Sequence, residues 1–328
     1  MSLIATRLQN FRIASPNFDR NMVRPQEYGA LDFFVSESNS PTGILSPELK
    51  ERAFASMGST VEIPVIDYDG DVTVANVRSC TITDDENTSA LYTIVWATFA
   101  VGFTMTPSLY LNNEISYQQD WNRKIEKVSR AMANSLDEAA VGALEARKTQ
   151  VLKEPLYYTV SGNSVQVPWD MREDILSDLN SMERANEYPG MIHLIGNAGV
   201  DSMLRKMAEK GLYNEVNKQL EYSDKILHFT NNVVNEEGVF ATLYAVTSGN
   251  VGLLTRVDRE SLLRSKYGSH EWDVVNLPYL GIPVGSHYYT SVGDRSNIAG
   301  DASADMTCVG TEYYGFSVDV SFLIAYNS

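Results

Sequence analysis

The segment Asn113–Gln150, NEISYQQDWNRKIEKVSRAMANSLDEAAVGALEARKTQ, decides how the rest of the chain is read. Ile115, Trp121, Ile125, Val128, Met132, Leu136, Ala139, Ala140, Ala143 and Leu144 recur mostly three or four residues apart, the period of an amphipathic helix. Arg123, Lys124, Glu126, Lys127 and Arg130 fall on the other face, and no proline interrupts them. At 1.5 Å per residue the helix would run roughly 50 Å, longer than a compact domain needs. A rod of that length with one apolar side serves as a spine for other layers. Ser135-Leu136-Asp137-Glu138 matches a capping box, so a kink or restart is expected there.

The totals exclude several classes. The 328 residues, 44% apolar and 21% charged, are those of a folded globular chain large enough for more than one lobe. A net charge of −16 argues against a basic nucleic-acid footprint. Two distant cysteines, Cys80 and Cys308, support neither a disulfide framework nor a zinc site, and a reducing cytoplasm is expected. The opening MSLIATRLQNFRIAS is too polar for a signal peptide, and no apolar run reaches membrane-spanning length.

Residues 1–57 show no persistent period and carry Pro16, Pro25, Pro41 and Pro47 among Phe11, Phe18, Leu31, Phe33 and Phe34. They read as an irregular arm laid over another surface, its own or a neighbour's; deleting residues 1–40 is then expected to leave a soluble, folded subunit whose assembly fails. Ser46-Pro47-Glu48 starts a short helix, with Ser46 as its N-cap. Beyond Thr60 the pattern turns to strands. Asp69-Gly70 is a hairpin turn signal, and the runs 72–83 and 90–103 flank the acidic tip Asp84-Asp85-Glu86 as a long two-stranded projection.

After the long helix come a hairpin about Gly162-Asn163, a helix over 170–188 and a strand over 191–195. A helix over 198–220 and strands over 225–234 and 240–247 follow, the mixture of a compact α+β lobe. Asn276 to Tyr289, with its prolines, reads as an edge strand. The clearest strand is last: Tyr314, Phe316, Val318, Val320, Phe322, Ile324 and Tyr326 alternate with small or polar residues, one face buried and one wet.

Chemistry is sparse. Asp67-x-Asp69-x-Asp71 opens like a calcium loop, but the glycine is misplaced and Arg78 stands where the bidentate acid belongs. His193, His228, His270 and His287 occur in no metal-binding spacing and read as structural. No phosphate-binding glycine motif or nucleophile elbow is present, and the stretch 246–252 reads as a turn. No catalytic, cofactor or metal residue is assigned, and no enzyme activity is expected.

The order of elements resembles the major capsid protein of tailed bacteriophages, the Hong Kong 97-like fold shared with encapsulins. LDEAAVGALEARKTQV (Leu136–Val151) resembles the end of that family's spine helix, LPYLGIPVG (Leu277–Gly285) its axial-lobe segment, and TEYYGFSVDVSFLIAYNS its closing peripheral strand. The resemblance implies an N-terminal arm over 1–57 and an extended β-hairpin loop over 58–109. It implies a peripheral domain from 110–171 and 291–328, and an axial domain over 172–290. It further implies an icosahedral shell of hexamers and pentamers enclosing double-stranded DNA without sequence-specific binding, located in the virion after assembly in the host bacterial cytoplasm. No helical prodomain precedes the arm, so the resemblance implies a separate scaffolding protein, or a mature form, and a portal; no membrane is involved. The family's lysine–asparagine crosslink has no residue-level match. The alternatives are an encapsulin-like compartment with protein cargo and, from another class, a soluble hydrolase.

Overall fold

The computed structural model describes residues 3–4, 7–8, 27–41, 43–56, 60–66, 89–110, 116–148, 158–172, 174–185, 190–208, 213–214, 219–220, 225–294 and 308–324. The expected turn at Asp69-Gly70, the acidic tip, the aspartates of the failed calcium loop and Cys80 lie outside them.

Three helices frame the body: α1 (Gly29–Asn39), α2 (Pro47–Phe54) and the spine α3 (Tyr117–Ala146). The spine starts where Ser116 Oγ accepts from the Gln119 amide and Gln119 Oε1 accepts in return from the Ser116 amide. It runs unbroken for about 45 Å. The box at 135–138 therefore caps nothing. Met132, Leu136, Ala140 and Leu144 continue one buried stripe through it, and Asp137 turns inward with them.

Two sheets pack around these helices. In the larger, β15 (Cys308–Ile324) is the central strand. One of its edges takes β14 (Pro283–Asp294) and then β11 (Val251–Arg256), and the other takes β3 (Ala97–Met105), all antiparallel. Beyond β14 lie β13 (His270–Asn276) and the short β12 (Lys266–Tyr267). Tyr314, Phe316, Val318 and Val320 alternate inward as the sequence pattern required. They meet the spine with Phe103, whose ring stacks on Tyr314 at 4.9 Å, and Trp121, edge-on to Tyr314 at 6.2 Å.

The smaller sheet has the order β10-β6-β9-β8-β7: Leu243–Thr247, Ile192–Gly196, Lys225–Phe229, Gln219–Leu220 and Tyr213–Asn214. β6 and β9 are parallel, joined through the helix Ala198–Ala208, while Ile175–Ala185 supplies Leu176 to the same small core. A hairpin, β4 (Thr159–Ser161) with β5 (Ser164–Gln166), turns at Gly162 with φ +58°. The remaining ribbon pairs β1 (Glu62–Ile66) with β2 (Ser89–Thr93).

Four expectations need correction. Leu31, Phe33 and Phe34 belong to a buried helix rather than an irregular arm, and all three are fully buried between the spine, β9 and β11. Gly29 is required there, because a Cβ would come 2.3 Å from the Phe229 carbonyl oxygen. The run 90–103 divides: 89–93 stays in the ribbon, while 97–105 crosses into the large sheet. The helix begun at Ala198 ends at Ala208 and gives way to β7 and β8. β14 is interior, with β13 and β15 on its two sides; Pro283 is tolerated because it is the strand's first residue. The pairing places β11, β12, β13 and β14 in one sheet with β15.

Candidate assembly surfaces

Buried polar groups show what each surface is anchored to. Asp137, fully buried on the spine, accepts from the Leu31 amide at 2.9 Å, from Asn232 Nδ2 at 2.8 Å and from the Thr230 hydroxyl. One carboxylate thereby ties α1 and the segment after β9 to the spine. Arg7 donates to the hydroxyls of Tyr117 and Tyr314 and to Glu312, while Ile4 and Leu8 enter the main core.

Tyrosine–carboxylate bonds recur along the spine, among them Tyr110 to Asp120, Tyr244 to Glu145 and Tyr279 to Glu126. Burial, reinforced by the Asp120 acceptor, pushes Tyr110 up to about 12. Burial and the Glu312 acceptor do the same to Tyr117. These phenols stay neutral donors at neutral pH and act as staples. Among the described residues no group of three His, Cys, Asp or Glu side chains is placed to hold a metal ion. No helix among them is long and apolar enough to cross a membrane.

The four histidines, unremarkable in sequence, form two cross-strand pairs. His193 Nδ1 lies 3.0 Å from His228 Nε2 between β6 and β9, and His270 Nδ1 lies 2.9 Å from His287 Nε2 between β13 and β14. Their sequence separations carry no signal, because strand pairing alone brings them together. The second pair joins a ladder on the outer face of the large sheet: Trp272 lies 4.3 Å from His287, and Tyr289 stacks on Tyr313 at 4.5 Å.

Several surfaces among the described residues leave large apolar side chains in solvent. On the ribbon, Leu91 and Tyr92 are 67% and 47% exposed, and Val95, in the connector to β3, is 81% exposed. Its root is held by Val61 and Ile94, which pack with Leu45, Ala53 and Leu254. There Arg256 lies 4.4 Å over the Trp96 ring and donates to Asp319 at 2.8 Å. Beside the smaller sheet, Trp169 and Phe240 meet edge-on at 4.8 Å, with Val234 and Val239 exposed nearby in sequence. Near the described end of β14, Val292 is exposed.

The sequence matches no family model and no curated protein. In fold, the chain is similar to a chain from Mycobacterium phage Che8, with 11% identity, 85% and 86% of the two chains covered, and a TM-score of 0.47. It is similar to a chain in the capsid structure of the cyanophage P-SCSP1u, with 8% identity, 81% of each chain covered and a TM-score of 0.42. A third similarity is to a chain in the capsid of a native GTA particle, with 11% identity, 96% and 95% covered and a TM-score of 0.42.

Proposed function

We propose that this chain is a capsid shell protein, the major capsid protein of a tailed double-stranded DNA bacteriophage, assembling into hexamers and pentamers of an icosahedral shell. The observation that carries the reading is the ribbon. A body with a continuous core roots a two-stranded ribbon, yet leaves Leu91 and Tyr92 on it and Val95 beside it in water. An isolated two-stranded ribbon is at best marginally stable, so its energetic complement lies on another copy. Head-to-tail contacts of that kind close into rings, and rings tile a container.

In this reading β15, its partner strands and the spine form the peripheral lobe, and the smaller sheet with its helices forms the axial lobe. The ribbon is the extended loop. The arm is the part of residues 1–57 outside α1, and Ile4, Arg7 and Leu8 dock on the main core. The charge of −16 keeps the shell's wall from trapping packaged DNA. A separate scaffolding protein and a portal complete the proposal.

Negative-stain microscopy of the purified chain, with sedimentation velocity, is the test. Closed shells or capsomer rings are the expected result. A monodisperse species of one or two subunits under every salt and scaffold condition would overturn it. Shells filled with protein rather than nucleic acid would move the reading to an encapsulin-like compartment.

A further inference from the structure

We propose that Phe33, Glu37, His193 and His228 form an acid-sensitive latch holding α1 to the smaller sheet. α1 is the element where the two sheets and the spine meet: it packs on α3, on β11 of the large sheet and on β6 and β9 of the small one. His193 and His228 bridge β6 and β9 at 3.0 Å, and the Phe33 ring covers both imidazoles, at 4.8 Å and 5.3 Å between centroids. A nitrogen–nitrogen bridge of this kind uses one N–H donor and one lone pair. It holds when the pair carries at most one excess proton. With two, both facing nitrogens bear hydrogens and like charges stand about 3 Å apart, so the bridge breaks.

The surroundings set the direction of the response. Glu37 on α1 lies 3.5 Å from His193 Nε2 and is itself buried. Its carboxylate accepts from the Gly249 amide at 2.7 Å and from Ser248 Oγ at 3.0 Å, in the turn before β11. Lys225, on the same strand as His228, donates to Asn180, and Asp137 on the spine accepts from Leu31, Thr230 and Asn232. Burial lowers the proton affinity of His193 by more than Glu37 raises it. A histidine whose folded pKa is depressed contributes stability that is complete above its ordinary value of about 6.5 and is lost as pH falls below it. The strain falls on α1, which carries both the carboxylate and the covering ring. Release of α1 loosens the joint between the two sheets while the spine keeps its own contacts.

Amide hydrogen exchange on the full chain, corrected for intrinsic rates, tests this at pH 7.5 and 5.5. Protection over 29–39 should fall severalfold on acidification, up to the roughly tenfold that one imidazole with an ordinary pKa of about 6.5 can supply over this interval, with little change over 117–146. The double variant H193Q/H228Q should shrink that fall to less than about twofold. Glu37→Gln keeps both imidazoles and removes the offsetting charge, so it should enlarge the fall; this variant carries the test if the double variant does not fold. His270→Gln, in the other pair, should leave the fall over 29–39 unchanged. A loss spread evenly over α1 and the spine, or an α1 response untouched by Glu37→Gln, overturns the proposal. Neither outcome depends on whether shells form.

Discussion

Asp137 concentrates much of what individual residues do in this chain. Its sequence neighbours suggested a helix start, because Ser-Leu-Asp-Glu satisfies a capping pattern that is purely local. The structure uses the carboxylate for three donors drawn from residues 31, 230 and 232, and nothing within a helical turn announces them. Asp137→Ala leaves the buried Leu31 amide and Thr230 hydroxyl without this acceptor, while Asn232 keeps Asn134, and should cost about 3 kcal/mol of unfolding free energy in urea denaturation. Glu312 offers a titration at the opposite end of the pH scale from the tyrosines it binds. Burial alone would raise its pKa, but hydrogen bonds from Tyr117 and Tyr314 and the Arg7 charge hold it below the ordinary carboxylate value. Its contribution is therefore present above about pH 4.5 and lost as pH falls through the depressed value. The melting temperature of Glu312→Gln should converge on that of the parent chain as pH drops below 4, and diverge from it at pH 6.

Elements were legible in proportion to how far their pattern was local. The spine's apolar stripe and the alternation of β15 were both readable, since each repeats its own period many times. α1 was not readable: GALDFFVSESN is short and nearly apolar on all sides over its first half, because it is buried among three neighbours rather than one. The prolines around β14 suggested an edge, whereas position within the strand decides whether a missing amide matters. Phe33→Ala should cost about 3–5 kcal/mol, measured by thermal or urea unfolding of the subunit. Deleting residues 1–40 should consequently yield an unfolded or aggregated chain, not an assembly-defective one. Ser116→Ala, which removes the observed cap of the spine, should cost about 1 kcal/mol, whereas Ser135→Ala should be nearly neutral.

The molecule as a whole separates what folds the subunit from what its surface is for. Candidate surfaces were partly visible in sequence as runs of strand-forming residues, but their exposure was not, since periodicity does not report which face lacks a partner. Leu91→Ser with Val95→Ser should change subunit stability by less than about 0.5 kcal/mol per site, while sedimentation shows assembly reduced or abolished. If both properties fell together, the ribbon would be part of the fold rather than a contact. The net charge of −16 adds a repulsion between copies that salt screens. The protein concentration needed for assembly should thus fall between 0.05 M and 0.5 M NaCl, as light scattering would record.

The large sheet takes its middle strand from the last described segment of the chain. β15 spans Cys308–Ile324, and β3, β11 and β14 all hydrogen-bond to it. During translation those three strands leave the ribosome before the strand they share. The spine's apolar stripe has no completed sheet to lie against until Cys308–Ile324 emerges from the exit tunnel. Nascent chains stalled before residue 308 should therefore be protease-sensitive across the spine and lean on chaperones, and resistance should appear in one step once residue 324 has left the tunnel.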